Sequence, residues 1–368
     1  MVRRAQAVTP LSREIARRIR SAGPLPVAEY MALALTDPEH GYYTTRDPLG
    51  AAGDFVTAPE ISQMFGEMIG AWCAVAWQYA GAPHRIALVE LGPGRGTLMA
   101  DMLRAAAALP PFRAALDIHL VETSPALRAA QRAALGGATA AWHEAPETLP
   151  PGPMLLVANE FFDALPIRQY QRTGGAWRER LVGLDESSGA LRFALASAPA
   201  AEAAGFPPAL AAAPEGAIVE RCPAAEAVIH DIAARIARDG GAALIVDYGP
   251  METAPGDSFQ AVKAHGYADA LAAPGEADLT AHVDFAGLAA RARAAGAAAF
   301  GPVPQGAFLK RLGIARRLEK LCAGAEPAQA DGLRAGYDRL IAEDGMGTLF
   351  KALGIAHASL GTPAGFEE

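Results

Sequence analysis

"ALVELGPGRGTLMADMLRA", residues 87–105, decides how this chain is read. An apolar run ends in one carboxylate, Glu90; then come Gly92, Pro93, Gly94 and Gly96, with a helical pattern behind them. Glycine tolerates positive φ and close backbone approach, and a helix N-terminus offers unpaired N–H donors. Strand, glycine turn and helix make the first βα unit of a nucleotide-binding sheet. The turn reads GPGRG rather than a full GxGxxG, and even the full motif is weak alone. It leaves three readings: a pyrophosphate-bearing dinucleotide, an amino-acid-bearing nucleoside, or a tight turn with no ligand.

Three neighbours bear on that choice. A carboxylate at Glu90 repels a pyrophosphate but suits the ammonium of a methionine moiety. Glu122, closing the strand "DIHLVE", is placed to accept from ribose hydroxyls of either nucleoside; its plainer reading is a satisfied strand-end carboxylate. The third is "LLVANEFFDALP", residues 155–166, where a strand ends in Asn159, Glu160, Phe161, Phe162 and Asp163. Methyl transfer to nitrogen needs acceptors that hold the nitrogen in line with a sulfonium. Carboxylates also offset a guanidinium charge, and aromatic faces favour cations. The plainer reading makes Asn159 or Asp163 a helix cap and the phenylalanines core residues.

Outward from these motifs the chain alternates. "IALVEL", "DIHLVE", "MLLVAN" and "AALIVDYG" are short apolar strands separated by helical stretches, which predicts an α/β, Rossmann-like parallel sheet with helices on both faces. An antiparallel insertion is expected at about 166–215, from "IRQYQR", "WRERLVGL" and "LRFALAS", inside a core of 81–250. Residues 1–80 read as an N-terminal helical region. Its aromatic loop, Gly41 to Glu60 with Tyr42, Tyr43, Asp54 and Phe55, is expected to act as a lid. "PEISQMFGEMIGAWCAVAWQYA" reads as one long helix. Residues 251–368 read as a loop, the strand "AAAFGPV" and helices to the end.

Composition excludes several classes. With 368 residues and a formal charge of −8, the chain has no long basic face for a nucleic acid. Arg13, Arg17, Arg18 and Arg20 read as a solvated helix face. No apolar stretch follows the N-terminal arginines, so no secretory signal is expected, and the most apolar helix, around "MIGAWCAVAWQYAGA", is interrupted by Gln78 and too short to span a bilayer. Cys73, Cys222 and Cys322 are widely spaced, which predicts no disulfide framework, no metal site and three small buried hydrophobes in a reducing cytoplasm of bacterial type.

Taken in order, "GPLPVAEYM", "DPEHGYY", "GDFVTAPEISQMFGEMIGAW", "VELGPGRGTLMADMLR", "NEFFDALP", "DYG", "PGEADLTAHVDF" and "GMGTLFKAL" cover nearly the whole chain. In these motifs the sequence resembles the MidA-like family of class I S-adenosylmethionine-dependent methyltransferases, which includes a mitochondrial protein arginine methyltransferase linked to respiratory complex I assembly. The resemblance implies S-adenosyl-L-methionine as donor, bound by Glu90, Gly92, Pro93, Gly94, Gly96, Glu122 and Asn159. It implies a protein substrate with a target arginine, with Glu160, Asp163, Asp278 and His282 as the catalytic set, and "GDFVTAPEISQ" and "DLTAHVDF" over the same cleft. Asp284 is expected to cap the following helix. His282 stands open between general base and structural residue. Two competing functions are a nicotinamide-dependent oxidoreductase and a non-catalytic assembly factor on the same fold; the oligomeric state is open.

Overall fold

The computed structural model describes residues 9–45, 57–263 and 266–367. Residues 46–56 of the expected lid, with Asp54 and Phe55, lie outside the described residues. The chain forms two compact units, each assembled from three separate stretches. One comprises Met1–Phe55, Asp163–Ala225 and Glu252–His282; the other comprises Val56–Phe162, Glu226–Met251 and Val283–Glu368. This differs from the three consecutive regions expected. Helix Gln63–Tyr79, read as part of an N-terminal region, belongs with the strands that follow it.

The second unit is built on a seven-stranded sheet: β1 (Ile86–Leu91), β2 (Leu116–Val121), β3 (Ala140–His143), β4 (Met154–Asn159), β5 (Gly241–Tyr248), β6 (Ala298–Pro304) and β7 (Phe350–Ala356). Their order across the sheet is β6–β7–β5–β4–β1–β2–β3. The first five strands are parallel, and β7 runs antiparallel between β5 and β6. Every residue of β4 and β5 is buried, because helices cover both faces and no position alternates towards water. The chain leaves β1 on one side and β4 on the other. The crevice beyond their carboxyl ends is therefore the topological switch point, where open α/β sheets bind ligands.

Helix Thr97–Ala106 packs against helix Gln63–Tyr79 at close range. A Cβ on Gly70 would lie 2.8 Å from the Met102 Cα, so only glycine allows this approach. Trp72, Phe65 and Ile69 of the same helix are buried in the core. The single long helix expected here is in fact two, Ala58–Ile61 and Gln63–Tyr79. Ser62 breaks it: the residue is extended, and its Oγ accepts from the Met64 N–H at 3.2 Å as the cap of the second helix.

A second correction concerns "FKALGIA", read as helical and observed as β7. Lys351 and Gly354 interrupt its apolar run, yet all seven residues are buried. Lys351 is tolerated because its Nζ donates to the carbonyls of Thr348 and Leu349, at 2.6 and 3.0 Å. β3, "AAWH", was also not expected, since four residues carry too little pattern to stand out.

The first unit has its own core, with Leu11, Ile15, Tyr30, Met31 and Tyr42 buried. Strands Arg168–Thr173, Ala176–Leu184 and Leu191–Leu195 pair antiparallel, and Ile218–Arg221 and the short Leu25–Pro26 extend that sheet. A small sheet of Gln260–Lys263, Gly266–Ala268 and Asp278–Thr280 completes it. The N-terminal arginines lie on helix Pro10–Ala22, where Arg17 and Arg18 both pair with Glu14. Of the three cysteines, all free, only Cys73 is fully buried, and burial pushes its thiol up to about 12. Cys222 and Cys322 are half-buried, contrary to expectation. The Cys222 Sγ accepts from the Ala225 N–H at the start of helix Pro223–Asp239, a capping contact that favours partial exposure.

Candidate active site

The turn after β1 is built from left-handed backbone. Gly92, Gly94 and Gly96 have φ of 60°, 52° and 85°, a region that side chains with a Cβ rarely enter. Space matters as well as φ. A Cβ on Gly92 would sit 3.0 Å from the Phe161 ring, and one on Gly96 would sit 3.1 Å from the Gln131 Cα. Two bonds close the turn: Gly92 N–H donates to the Val121 carbonyl (3.1 Å) and Gly96 N–H to the Pro93 carbonyl (2.7 Å). Gly96 is also the residue from which helix Thr97–Ala106 starts.

Glu90 lies beneath this turn, 3% exposed, on β1. Burial pushes its carboxyl up to about 8; the Met99 N–H opposes that shift and the nearby Asp101 carboxylate adds to it. Its Oε2 has no hydrogen-bond partner among the described residues. A buried carboxyl with one open oxygen, held next to a turn that no side chain obstructs, fits a cationic ammonium.

Glu122 follows β2. Its N–H donates to the His143 carbonyl (2.9 Å), and its carboxylate accepts from the Ser124 N–H (2.8 Å) and Gln131 Nε2 (3.3 Å). Burial raises its pKa, against the N–H donors of Ser124 and Gln131. A carboxylate has about four lone-pair sites, and the N–H groups of Ser124, Thr123 and Gln131 take up to three of them, which leaves room for a hydroxyl donor. The glycine cradle, the open Glu90 oxygen and the spare acceptors of Glu122 together match the ends of an amino-acid-bearing nucleoside.

The turn after β4 differs in kind. Glu160 takes φ of 50° although it is not a glycine, one of two such non-glycine residues in the described chain. Left-handed backbone on such a residue costs ~1–3 kcal/mol and clusters at functional sites. Its N–H donates to the Val246 carbonyl (2.9 Å), and its Oε1 accepts from the Ala58 N–H (3.2 Å) and Asn159 Nδ2 (3.1 Å). Asn159 ends β4, 8% exposed, and its Oδ1 is buried without a hydrogen-bond partner among the described residues. Phe161 and Phe162 stack edge to face at 5.3 Å, and the Phe162 N–H donates to the buried Asp247 carboxylate at 3.0 Å.

The remaining members of the expected catalytic set belong to the first unit. Asp163 caps no helix, contrary to one reading of "NEFFDALP": residues 163 and 164 form a turn, and the Asp163 carbonyl accepts from the Ala281 N–H at 3.0 Å. Asp278 is buried in the small sheet, where the Tyr43 hydroxyl donates to its Oδ1 at 2.9 Å. Burial, together with the charges of Asp278 and Asp163, raises the Tyr43 phenol well above its ordinary value. His282 is exposed, and its N–H donates to Ser258 Oγ at 2.8 Å. Asp284 caps helix Phe285–Ala294 as expected, its Oδ1 accepting from the Gly287 N–H at 3.0 Å.

One polar residue near the nucleoside-type site, Gln131, was not singled out in the sequence. Gln131 touches both the glycine turn and Glu122, but in "SPALRAAQRAAL" it reads with Arg128 and Arg132 as part of a polar helix face. Glu60, expected at the end of the lid loop, lies in helix Ala58–Ile61 and accepts from the Thr97 hydroxyl at 2.6 Å, at the start of helix Thr97–Ala106.

Comparison with known proteins gives one answer. The model of a family described as S-adenosyl-L-methionine-dependent methyltransferases matches residues 68–303. The chain is similar to the protein arginine methyltransferase NDUFAF7, mitochondrial, of Danio rerio, 40% identical over 94% of this chain and 87% of that one. Its Homo sapiens counterpart is 41% identical over 93% and 82%. A crystal structure of a Burkholderia thailandensis protein bound to S-adenosyl-homocysteine superposes with a TM-score of 0.84 at 30% identity, covering 98% of this chain and 97% of that chain. Together with the sheet order and the glycine turn, these matches establish that the chain belongs to the MidA-like family of class I S-adenosyl-L-methionine-dependent methyltransferases.

Proposed function

We propose that this enzyme transfers a methyl group to an arginine side chain of a protein. The observation that carries this reading is Glu160: a carboxylate at the end of β4, in a strained backbone conformation, with its Oε1 fixed from two sides. The relatives named as protein arginine methyltransferases support the substrate class.

Bound in such a site, the donor supplies an electrophilic methyl on a sulfonium. In our reading Glu90 faces the ammonium of its methionine part, Glu122 accepts from the ribose, and Gly92, Pro93, Gly94 and Gly96 let the backbone approach. Asn159 lies at the same strand ends. Glu160 accepts from guanidinium N–H groups and offsets their charge, which aligns one nitrogen for in-line attack. That is orientation and electrostatics rather than covalent catalysis. The proton released from the methylated nitrogen passes to solvent. Asp163, Asp278 and the exposed His282 are proposed as further substrate-side groups. A cytoplasmic setting is part of the same proposal.

The test is incubation of purified enzyme and isotopically labelled S-adenosylmethionine with a cell lysate, followed by mass spectrometry of modified arginines. Subunits of respiratory complexes are the first fraction to search. Label on arginine supports the proposal, and label only on other residues overturns the substrate class. Donor binding without any label transfer favours a non-catalytic assembly factor.

A further inference from the structure

Gln131 lies on helix Pro125–Ala134 and is completely buried. Its carboxamide uses both ends. Nε2 donates to the Gly94 carbonyl at 2.8 Å and to Glu122 Oε2 at 3.3 Å, while Oε1 accepts from Trp142 Nε1 at 2.8 Å. The amide cannot be turned round. An indole N–H only donates and a carbonyl only accepts, so the oxygen must face Trp142 and the NH2 must face Gly94. One side chain thus ties together the turn after β1, the residue after β2, and β3. Its own backbone is pressed against the same turn, at the position where a side chain on Gly96 would have to go.

We infer that Gln131 is a positioning residue for the methyl donor: it fixes the separation between the glycine turn and Glu122, and it aims the free lone pairs of the Glu122 carboxylate at the donor's ribose. The inference rests on the reading of Gly94 and Glu122 as donor-binding residues. Gln131 itself touches neither donor nor substrate; with its carboxamide occupied on every side, it acts through its neighbours. It has a second effect on Glu122. The carboxyl is raised by burial and held down by the N–H groups of Ser124, Thr123 and Gln131 and by the Arg128 charge. Arg128 Nε donates to the Glu122 carbonyl, and His143 faces the same residue through its own carbonyl. Loss of the Gln131 donor therefore moves Glu122 further towards its neutral form, which accepts poorly from a hydroxyl.

The experiment is calorimetric titration of the full chain with S-adenosylhomocysteine across the acidic and neutral range, for the wild type, Gln131→Glu, Gln131→Met and Glu122→Gln. Gln131→Glu keeps the volume and an acceptor for Trp142 but sets a second carboxyl against Glu122 and the Gly94 carbonyl, so Gln131→Met is the neutral removal of the donors, and a melting curve checks that it folds. Both Gln131 variants are expected to weaken binding by about tenfold or more. The pH below which affinity falls should move upward by about one unit. A general loss of stability would instead lower the fraction of binding-competent protein and leave Kd and the acid limb of the folded fraction unchanged. Wild-type Kd and an unmoved acid limb in either Gln131 variant overturn the inference. Glu122→Gln reports on the underlying reading. If it binds S-adenosylhomocysteine like the wild type, the donor assignment fails with this role; if it binds weakly while either Gln131 variant binds normally, only this role fails.

Discussion

Two turns leave the carboxyl ends of neighbouring parallel strands, and they solve opposite problems with the same backbone region. After β1, three glycines take positive φ, and at Gly92 and Gly96 a side chain would also crowd its neighbours. After β4, Glu160 takes positive φ while keeping a side chain, which two hydrogen bonds then hold in place. The first turn accepts the entropy of glycine to bring backbone close to a ligand. The second accepts strain to aim a carboxylate. The turns also meet, since the Phe161 ring occupies the ground next to Gly92.

The largest expected effect lies in the first turn. Gly94→Val puts a β-branched side chain at φ of 52°, and it should abolish stabilisation by S-adenosylhomocysteine. In the wild type a hundredfold excess over Kd should add about 2.7 kcal/mol to stability. A melting-temperature shift that survives in Gly94→Val would show that the turn does not approach the donor.

Glu160→Gln probes the second turn. It retains an acceptor for the Ala58 and Asn159 donors, so stability should hardly change. Turnover in the lysate assay should fall about a hundredfold, the scale of losing one positioned charge-stabilising group. Normal turnover with an unchanged fold would make the strain at Glu160 purely structural.

Below the first turn, Glu90 makes the comparison sensitive to pH. Its ordinary value is 4.5 and its folded value about 8, so on raising the pH the unfolded chain loses this proton first. The native state without donor should therefore lose stability between those limits, by a few kcal/mol in order of magnitude, and be most favoured at the acidic end. Glu90→Gln should flatten that slope. A donor ammonium next to Glu90 lowers its pKa, so binding near neutral pH should release close to one proton. Titrations in buffers of different ionisation enthalpy measure this release; none in the wild type would place the ammonium elsewhere.

The smallest effect tests the contact between the turns. Gly92→Ala should cost ~1–2 kcal/mol in backbone strain and crowd the Phe161 ring. Adding Phe161→Ala should recover only the crowding, a coupling of about 0.5–1 kcal/mol in a double-mutant cycle. Full additivity would show that the ring moves aside freely.

Much of the donor-type site was legible in the sequence because it depends on residue types with few alternatives: glycines at fixed spacing and carboxylates closing apolar strands. The strands themselves were legible where burial on both faces made the run continuous, as in "MLLVAN". Where tertiary contacts supply the reason, the pattern was silent. Lys351 looks incompatible with an interior strand until its carbonyl partners are seen, and Gln131 looks solvent-facing until Trp142 and Gly94 close around it. Ser62 read as one polar residue in a helix, but only its extended backbone shows that the helix restarts there. Asp163 offered itself as a cap, but no helix follows it.

The position of β7 bears on how the chain is made. It is the last strand in sequence, yet it lies inside the sheet, paired to β5 across more than a hundred residues of intervening chain. During synthesis β5 emerges with an open apolar edge that nothing in the sheet can cover until residues 350–356 leave the ribosome. A nascent chain arrested before that point would expose a template for aberrant strand pairing.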